Sequence, residues 1–143
     1  MVASGGGHWV QLLRLRPAFD GCDTCYVCVR REYQVEVPGC SFFTVNDATR
    51  WDKLGLALLA IRMLIVLMRV RPDIVVSTGA APGYFALRFG KMLGARTVWI
   101  DSIANVEQLS MTGMLVRGYS DRWLTQWPHL ARDGGPEYAG AVL

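Results

Sequence analysis

Twice in 143 residues a short apolar run ends in a glycine-rich turn and passes straight into a helical pattern. The first turn is Ser4-Gly5-Gly6-Gly7-His8, after Met1-Val2-Ala3. The second is Thr78-Gly79-Ala80-Ala81-Pro82-Gly83, after Ile74-Val75-Val76-Ser77. A strand that turns through glycines into a helix leaves the first helical N–H groups unpaired, with the positive end of the helix dipole behind them. Glycine also lets a ligand approach the backbone closely. Two such turns point to an α/β design and offer two places suited to phosphate.

The rest of the pattern agrees. Further strand-like runs cover 25–30, 41–45, 97–101 and 123–126, and helical patterns cover 8–19, 51–71, 84–93 and 110–119. Asn46-Asp47-Ala48-Thr49 offers a cap for the longest helix, and Pro72 stops it. This alternation predicts one domain, residues 1–143, built as a Rossmann-like, doubly wound parallel sheet with helices on both faces. Right-handed crossovers give the strand order 3-2-1-4-5-6. The first and fourth strands are then neighbours, and both glycine turns face one crevice at the topological switch point. Only two or three residues precede the first turn, against about five in an ordinary strand. The first strand is therefore expected to be truncated and its neighbours under-paired.

Composition excludes several classes. Hydrophobic residues make up 52% and charged residues 19%, which rules out disorder and is apolar for a small domain. The net charge of +3 is too weak to argue for nucleic acid, but suits an anionic membrane surface or a phosphorylated ligand. No basic start or apolar signal segment precedes the first turn, so a cytoplasmic location is expected. Cys22, Cys25 and Cys28 recur at every third position, as in some metal sites. Cys25 and Cys28 fall within a strand-like run and would point to opposite faces, so no metal site is expected. Disulfides are not expected in a reducing compartment.

Neither turn is a dinucleotide fingerprint, because Val10 occupies the place of the third glycine, and neither is followed by the Gly-Lys-Ser/Thr of a Walker loop. A nucleotide-dependent oxidoreductase would need an acidic residue near the end of the second strand, where only Glu32 stands, beside Arg30 and Arg31. Two anion-friendly turns on one crevice fit a diphosphate better than a single phosphate, and Ser4, Gly5, Gly6, Gly7, Thr78, Gly79 and Gly83 are its candidate ligands. His8 starts the first helix and is placed either to accept a proton from a sugar hydroxyl or to orient a phosphate. Asp101 ends the fifth strand, as a base, a hydroxyl-orienting group or a loop-ordering carboxylate.

Residues 54–70 are apolar apart from Gly55, Arg62 and Arg69, which recur every seven positions as one narrow helical stripe. A mid-helix arginine costs about 2.5–3.5 kcal/mol at a bilayer centre and argues against a membrane span. The remaining alternatives are a helix buried in the core, or one whose second apolar face meets a membrane surface or a partner subunit.

With these motifs in place, the sequence resembles the acceptor-side subunit of the split UDP-N-acetylglucosamine transferase of asparagine-linked glycosylation. It is also similar to bacterial exopolysaccharide subunits that add a second sugar to a lipid-diphosphate-linked sugar. The residues carrying the resemblance are Ser4 to His8; Ser77-Thr78-Gly79 with Pro82-Gly83; Asp101-Ser102; Leu109-Ser110-Met111-Thr112-Gly113; Gln126-Trp127-Pro128; and Tyr138-Ala139-Gly140. More distantly, the two glycine turns, the histidine and the acidic strand end resemble MurG transferases. The family usually has Glu where Asp101 stands and often Lys where Met114 stands. Eukaryotic members carry an N-terminal membrane anchor. No such segment is seen here, and residues 54–70 are expected to replace it by lying on the membrane.

The resemblance implies the N-terminal half of a GT-B glycosyltransferase, holding a polyprenyl-diphosphate-linked sugar while a separate donor-binding subunit carries the UDP-sugar. It implies a heterodimer, peripheral on the inner face of the cell membrane, with no cofactor, no metal and no nucleic acid. His8 and Asp101 are its candidate catalytic residues. Ser102, Ser110, Thr112, Gly113, Gln126 and Trp127 would line the acceptor or the subunit interface. The alternative is a non-catalytic scaffold that recruits a catalytic subunit to the membrane.

Overall fold

A computed structural model describes residues 1–142. Six strands run in parallel: β1 (Cys25–Cys28), β2 (Ser41–Thr44), β3 (Ile74–Ser77), β4 (Arg96–Ile100), β5 (Arg122–Thr125) and β6 (Glu137–Tyr138). β1 pairs with β2, and β3, β4, β5 and β6 pair in that order. Val2 bridges the two groups, paired with Val27 of β1 on one side and Ser77 of β3 on the other. Its N–H donates to Val76 O at 2.8 Å, while Ala3 N–H donates to Val27 O at 3.1 Å. The first strand is thus reduced to one bridging residue, and the expected order is present with Val2 in its place. β6 is an edge addition that the sequence pattern did not signal, since two residues carry no readable alternation.

Four α-helices cover the sheet: α1 (Gly7–Arg14), α2 (Lys53–Val70), α3 (Ala80–Met92) and α4 (Met111–Leu115). The expected helix over 8–19 breaks after Arg14 into a 3-10 turn at Arg16–Phe19, because Pro17 lacks an N–H and its ring obstructs a continuing helix. α2 is capped by Asp52, whose carboxylate accepts from Gly55 N–H at 2.8 Å, and not by the earlier Asn46–Thr49 run. It ends at Arg71, in the left-handed conformation at φ 49°, just before Pro72. α3 starts four residues before the expected Tyr84, since Pro82 is tolerated in a first turn. The expected helix over 110–119 closes at Leu115 and continues as a 3-10 turn at Arg117–Tyr119.

Burial follows the helical and strand periods. Leu59, Met63, Val66 and Leu67 of α2 pack with Val27, Val75, Leu87 and Trp99 in one core. Trp9 and Leu12 of α1 pack with Tyr26, Cys28 and Val37 on the other side. Each large apolar side chain so buried contributes roughly 1.5–3 kcal/mol. Cys25 and Cys28 occupy β1, Cys28 fully buried. The close helix–sheet approach depends on Gly83 of α3. A Cβ there would lie 2.1 Å from Ser77 Oγ and 3.0 Å from Trp99 Cζ3.

β4 is held at its start by Asp121, whose carboxylate accepts from Thr97 N–H at 2.9 Å and from the Lys91 ammonium. The Lys91 hydrogen bond, followed by that of the Thr97 backbone, holds the Asp121 carboxyl below its ordinary range. A lowered folded-state pKa adds stability above the unfolded value, lost as pH falls through the folded one. Asp121→Asn is therefore expected to flatten the acid side of the stability profile, read from urea midpoints between about pH 2 and pH 5. Gly83→Ala is expected to cost about 1–3 kcal/mol by overpacking, read in the same urea titrations at neutral pH.

Candidate functional site

Both glycine turns open at the carboxyl edge of the sheet, the first directly after the Val2 bridge and the second after β3 beside it. In the first, Gly6 adopts φ 64°, a region only glycine enters freely, and the chain enters α1 at Gly7. In the second, Gly79 adopts φ 154° and Ala80 follows at φ 62°, an uncommon left-handed conformation for a residue with a Cβ. Neither α1 nor α3 has a side-chain cap or an acidic residue in its first turn. Their positive ends are therefore not neutralised by the protein itself.

A reciprocal pair of hydrogen bonds ties the turns together. His8 Nδ1 lies 2.9 Å from Thr78 O, and Thr78 Oγ1 donates to His8 O at 2.7 Å. A carbonyl only accepts, so Nδ1 donates, and in the neutral ring Nε2 is the nitrogen with the free lone pair. The imidazole is half-buried and rests on Gly79, where a Cβ would come 2.2 Å from Nδ1. The glycine requirement at Gly79 thus comes from the histidine as well as from the turn.

The structure brings Ser4, Gly5, Gly6, Gly7, His8, Thr78 and Gly79 together at this edge. It does not place Gly83 with them: Gly83 is buried between Ser77 and Trp99 and serves packing. Asp101 directly follows β4, one residue past the observed strand end, and is only 1% exposed. Its Oδ1 accepts from Ser110 Oγ and, at 3.3 Å, from Trp99 Nε1, and its Oδ2 accepts from Ser110 N–H at 2.8 Å. A carboxylate so buried and so occupied orders the loop before α4, the loop-ordering role among the three that the sequence left open for Asp101.

The other expected site residues mostly support this loop. Ser110 caps α4 through Gly113 N–H at 2.8 Å, and Gly113 is buried against the Asp101 carboxylate. Ser102 Oγ accepts from Ala104 N–H at 3.3 Å. Thr112 is half-buried in α4. The buried Gln126 amide donates to Asp101 O at 2.9 Å and accepts from Val142 N–H at 2.9 Å. Trp127 Nε1 donates to Ile103 O at 2.9 Å.

Three contributors were missed. Gln11, buried on α1, donates to Asp101 O at 3.1 Å and accepts from Ile103 N–H at 3.2 Å, joining the histidine's helix to the Asp101 loop. A polar residue in the apolar stripe of α1 was its signal. Tyr33 stacks on Trp9, and its hydroxyl accepts from Gly6 N–H at 3.1 Å. The Arg30 side chain lies along Gly5, where a Cβ would come 2.9 Å from Nε, adding a cation beside the first turn. Glu32, the residue an oxidoreductase would need, is exposed and pairs with Arg30 at 3.3 Å.

Two cavities, of about 720 and 730 Å³, lie at the opposite edge of the sheet, around Arg71–Ile74 and below Met1. Neither touches the glycine turns. Ligands of open α/β sheets bind outside the carboxyl ends of the strands, so the crevice at the turns is the better candidate.

The architecture is a Rossmann-like α/β domain of the GT-B type. It superposes on MurG of Acinetobacter baumannii with a TM-score of 0.76 at 10% identity, over 96% of this chain and 44% of that one. It also superposes on UDP-GlcNAc 2-epimerase of Methanocaldococcus jannaschii with a TM-score of 0.67 at 12% identity, over 87% and 38% of the two chains. Residues 51–142 match the family described as "Oligosaccharide biosynthesis protein Alg14 like", and the chain belongs to that family. The UDP-N-acetylglucosamine transferase subunit ALG14 of Yarrowia lipolytica is 34% identical over 80 residues, 51% of this chain and 37% of the relative. The mouse protein of the same name is 36% identical over 74 residues, 46% of this chain and 33% of the relative. The chain thus spans about a third of the length of these curated relatives. Among the described residues no helix is long and apolar enough to cross a membrane.

Two substitutions probe the geometry. Gly79→Ala is expected to push the His8 ring aside and cost about 2 kcal/mol or more, through contact and positive φ together. Ser110→Ala removes two hydrogen bonds, the α4 cap and the one to Asp101, and is expected to cost about 1–2 kcal/mol. Both values are read as shifts in urea midpoint.

Proposed function

We propose that this chain is the acceptor-binding part of a two-component glycosyltransferase, moving a sugar from a UDP-sugar to a polyprenyl-diphosphate-linked sugar. The observation that carries this is the pair of uncapped helix N-termini locked side by side through His8 and Thr78. Two such termini on one crevice suit two linked phosphates better than one, and family membership supports the reaction class. Ser4 to Gly7, Thr78 and Gly79 cradle the diphosphate, with Arg30 adding charge at the first turn. His8 Nε2 accepts the proton from the attacking hydroxyl as its oxygen bonds to the donor sugar's anomeric carbon and UDP departs with the bonding pair. Inversion at that carbon follows from a single displacement. Asp101, Ser110, Gln11 and Gln126 act as positioning residues that fix the loop facing the crevice.

The donor and its specificity belong to a separate subunit in this reading, so the working enzyme is a heterodimer. Its lipid-borne acceptor places it peripherally on the cytoplasmic face of the membrane. The test is transfer to a short-chain polyprenyl-diphosphate sugar by the reconstituted pair, with acceptor affinity measured separately by calorimetry. His8→Ala is expected to reduce kcat about 10²–10⁴-fold while acceptor affinity changes little. Full turnover in His8→Ala would remove the base role, and an acceptor that does not bind the wild-type chain would leave the scaffold reading in its place.

A further inference from the structure

We propose that the Tyr33 phenol is a phosphate-binding group of the first glycine turn, held there by the helix that carries His8. Between β1 and β2 the chain makes a 3-10 run, Arg31–Glu36, that packs on the start of α1. Tyr33 projects from this run and stacks on Trp9, with ring centroids 5.1 Å apart and planes 4° from parallel. Trp9 is fixed in its turn. It is 1% exposed, stands edge-on to Tyr26 and Phe42, and donates from Nε1 to Glu36 Oε2 at 3.3 Å. Arg16 Nη1 holds the same glutamate by its backbone, donating to Glu36 O at 3.2 Å. The tyrosine ring is thus set in plane and position, and its hydroxyl oxygen accepts from Gly6 N–H at 3.1 Å.

The bond to Gly6 uses a lone pair of the phenol and leaves its hydrogen free to be donated. Accepting one hydrogen bond also polarises the O–H towards giving another. Gly7 and His8, next along the chain, open α1 with no side-chain cap. Arg30 lies along Gly5 and engages Glu32 through Nη1 at 3.3 Å. The second turn is built differently. Thr78 Oγ1 gives its hydrogen to His8 O, and Ser77 Oγ is buried against Gly83. The two turns are therefore unequal. The first presents a phenol and a guanidinium beside its backbone N–H groups, whereas the hydroxyls at the second are spent or buried. A diphosphate lying across both is gripped harder at the first. Stability does not require the Tyr33 hydroxyl. Gly6 is exposed, so water would satisfy its N–H, and a phenylalanine ring would stack on Trp9 equally well. What the hydroxyl adds is one more donor for a ligand oxygen, at the mouth of the turn.

The inference rests on the acceptor reading for the identity of the ligand, and its test separates the two. The full chain, isotope-labelled, is titrated with inorganic pyrophosphate and, in parallel, with a water-soluble short-chain diphosphate sugar. Amide shifts locate the site and calorimetry gives the affinity. In the parent chain pyrophosphate is expected to move the Gly6, Gly7 and His8 amides. Tyr33→Phe is expected to weaken binding about tenfold, as for the loss of one hydrogen bond to a charged group, while keeping the parent's urea midpoint. Equal affinity for pyrophosphate in the parent and in Tyr33→Phe overturns the proposal. So does a Tyr33→Phe chain with a lowered urea midpoint, because the hydroxyl would then be a structural cap. Pyrophosphate that binds without moving the first-turn amides overturns it as well. A parent that binds pyrophosphate through Tyr33 but does not bind the diphosphate sugar removes the acceptor reading alone. A parent that binds the diphosphate sugar no better than Tyr33→Phe does removes the role of the tyrosine alone, and a parent that binds neither ligand removes both.

Discussion

The imidazole of His8 rests on the bare backbone of Gly79, and that contact sets the distance between the two glycine turns. With any side chain at position 79 the ring would have to leave, and with it the hydrogen bond to Thr78 O. The separation of the two helix dipoles, the tautomer of the histidine and the direction of its free lone pair all follow from this one approach. The Val2 bridge brings the two strands into register, but the histidine and glycine decide how closely their turns meet.

Around this contact the polar interior works as a frame for one loop. Asp101 O takes an amide hydrogen from Gln11 on α1 and another from Gln126 after β5. The Asp101 carboxylate meanwhile takes hydrogens from Ser110 and Trp99. Asp101, Gln11, Gln126 and Trp99 are buried, and their polar groups would be costly to leave unpaired. The loop before α4 is therefore tied to both neighbouring elements, and the helix that carries His8 is one of them.

The sequence pattern made the parallel α/β architecture, the strand order and the meeting of the two turns legible. Glycine-bounded apolar runs and helical periodicity are strong local signals. It was weaker where three-dimensional approach decides. Gly83 looked like a second-turn ligand, yet it serves the packing of α3 on Ser77 and Trp99. The sequence leaves Asp101 open between base, hydroxyl-orienting group and loop-ordering carboxylate, because its partner Ser110 comes from nine residues further on. Helix ends moved where Pro17 and Pro82 allowed or forbade a turn, and β6 was too short to announce itself. The long apolar helix was recognised, but its division into a core side and a solvent side required the fold.

The sheet is stitched at its middle by very few bonds. Between β1 and β3 the connection runs through Val2 and its immediate neighbours, while every other junction is a direct strand pair. The turn bearing His8 and the turn bearing Thr78 lie on this seam. Sub-global opening concentrates where few backbone hydrogen bonds are buried. The line of fewest backbone bonds therefore runs through the crevice itself, and across it the two half-sheets are joined by side chains, Val27 and Val75 packing against α2 in one core.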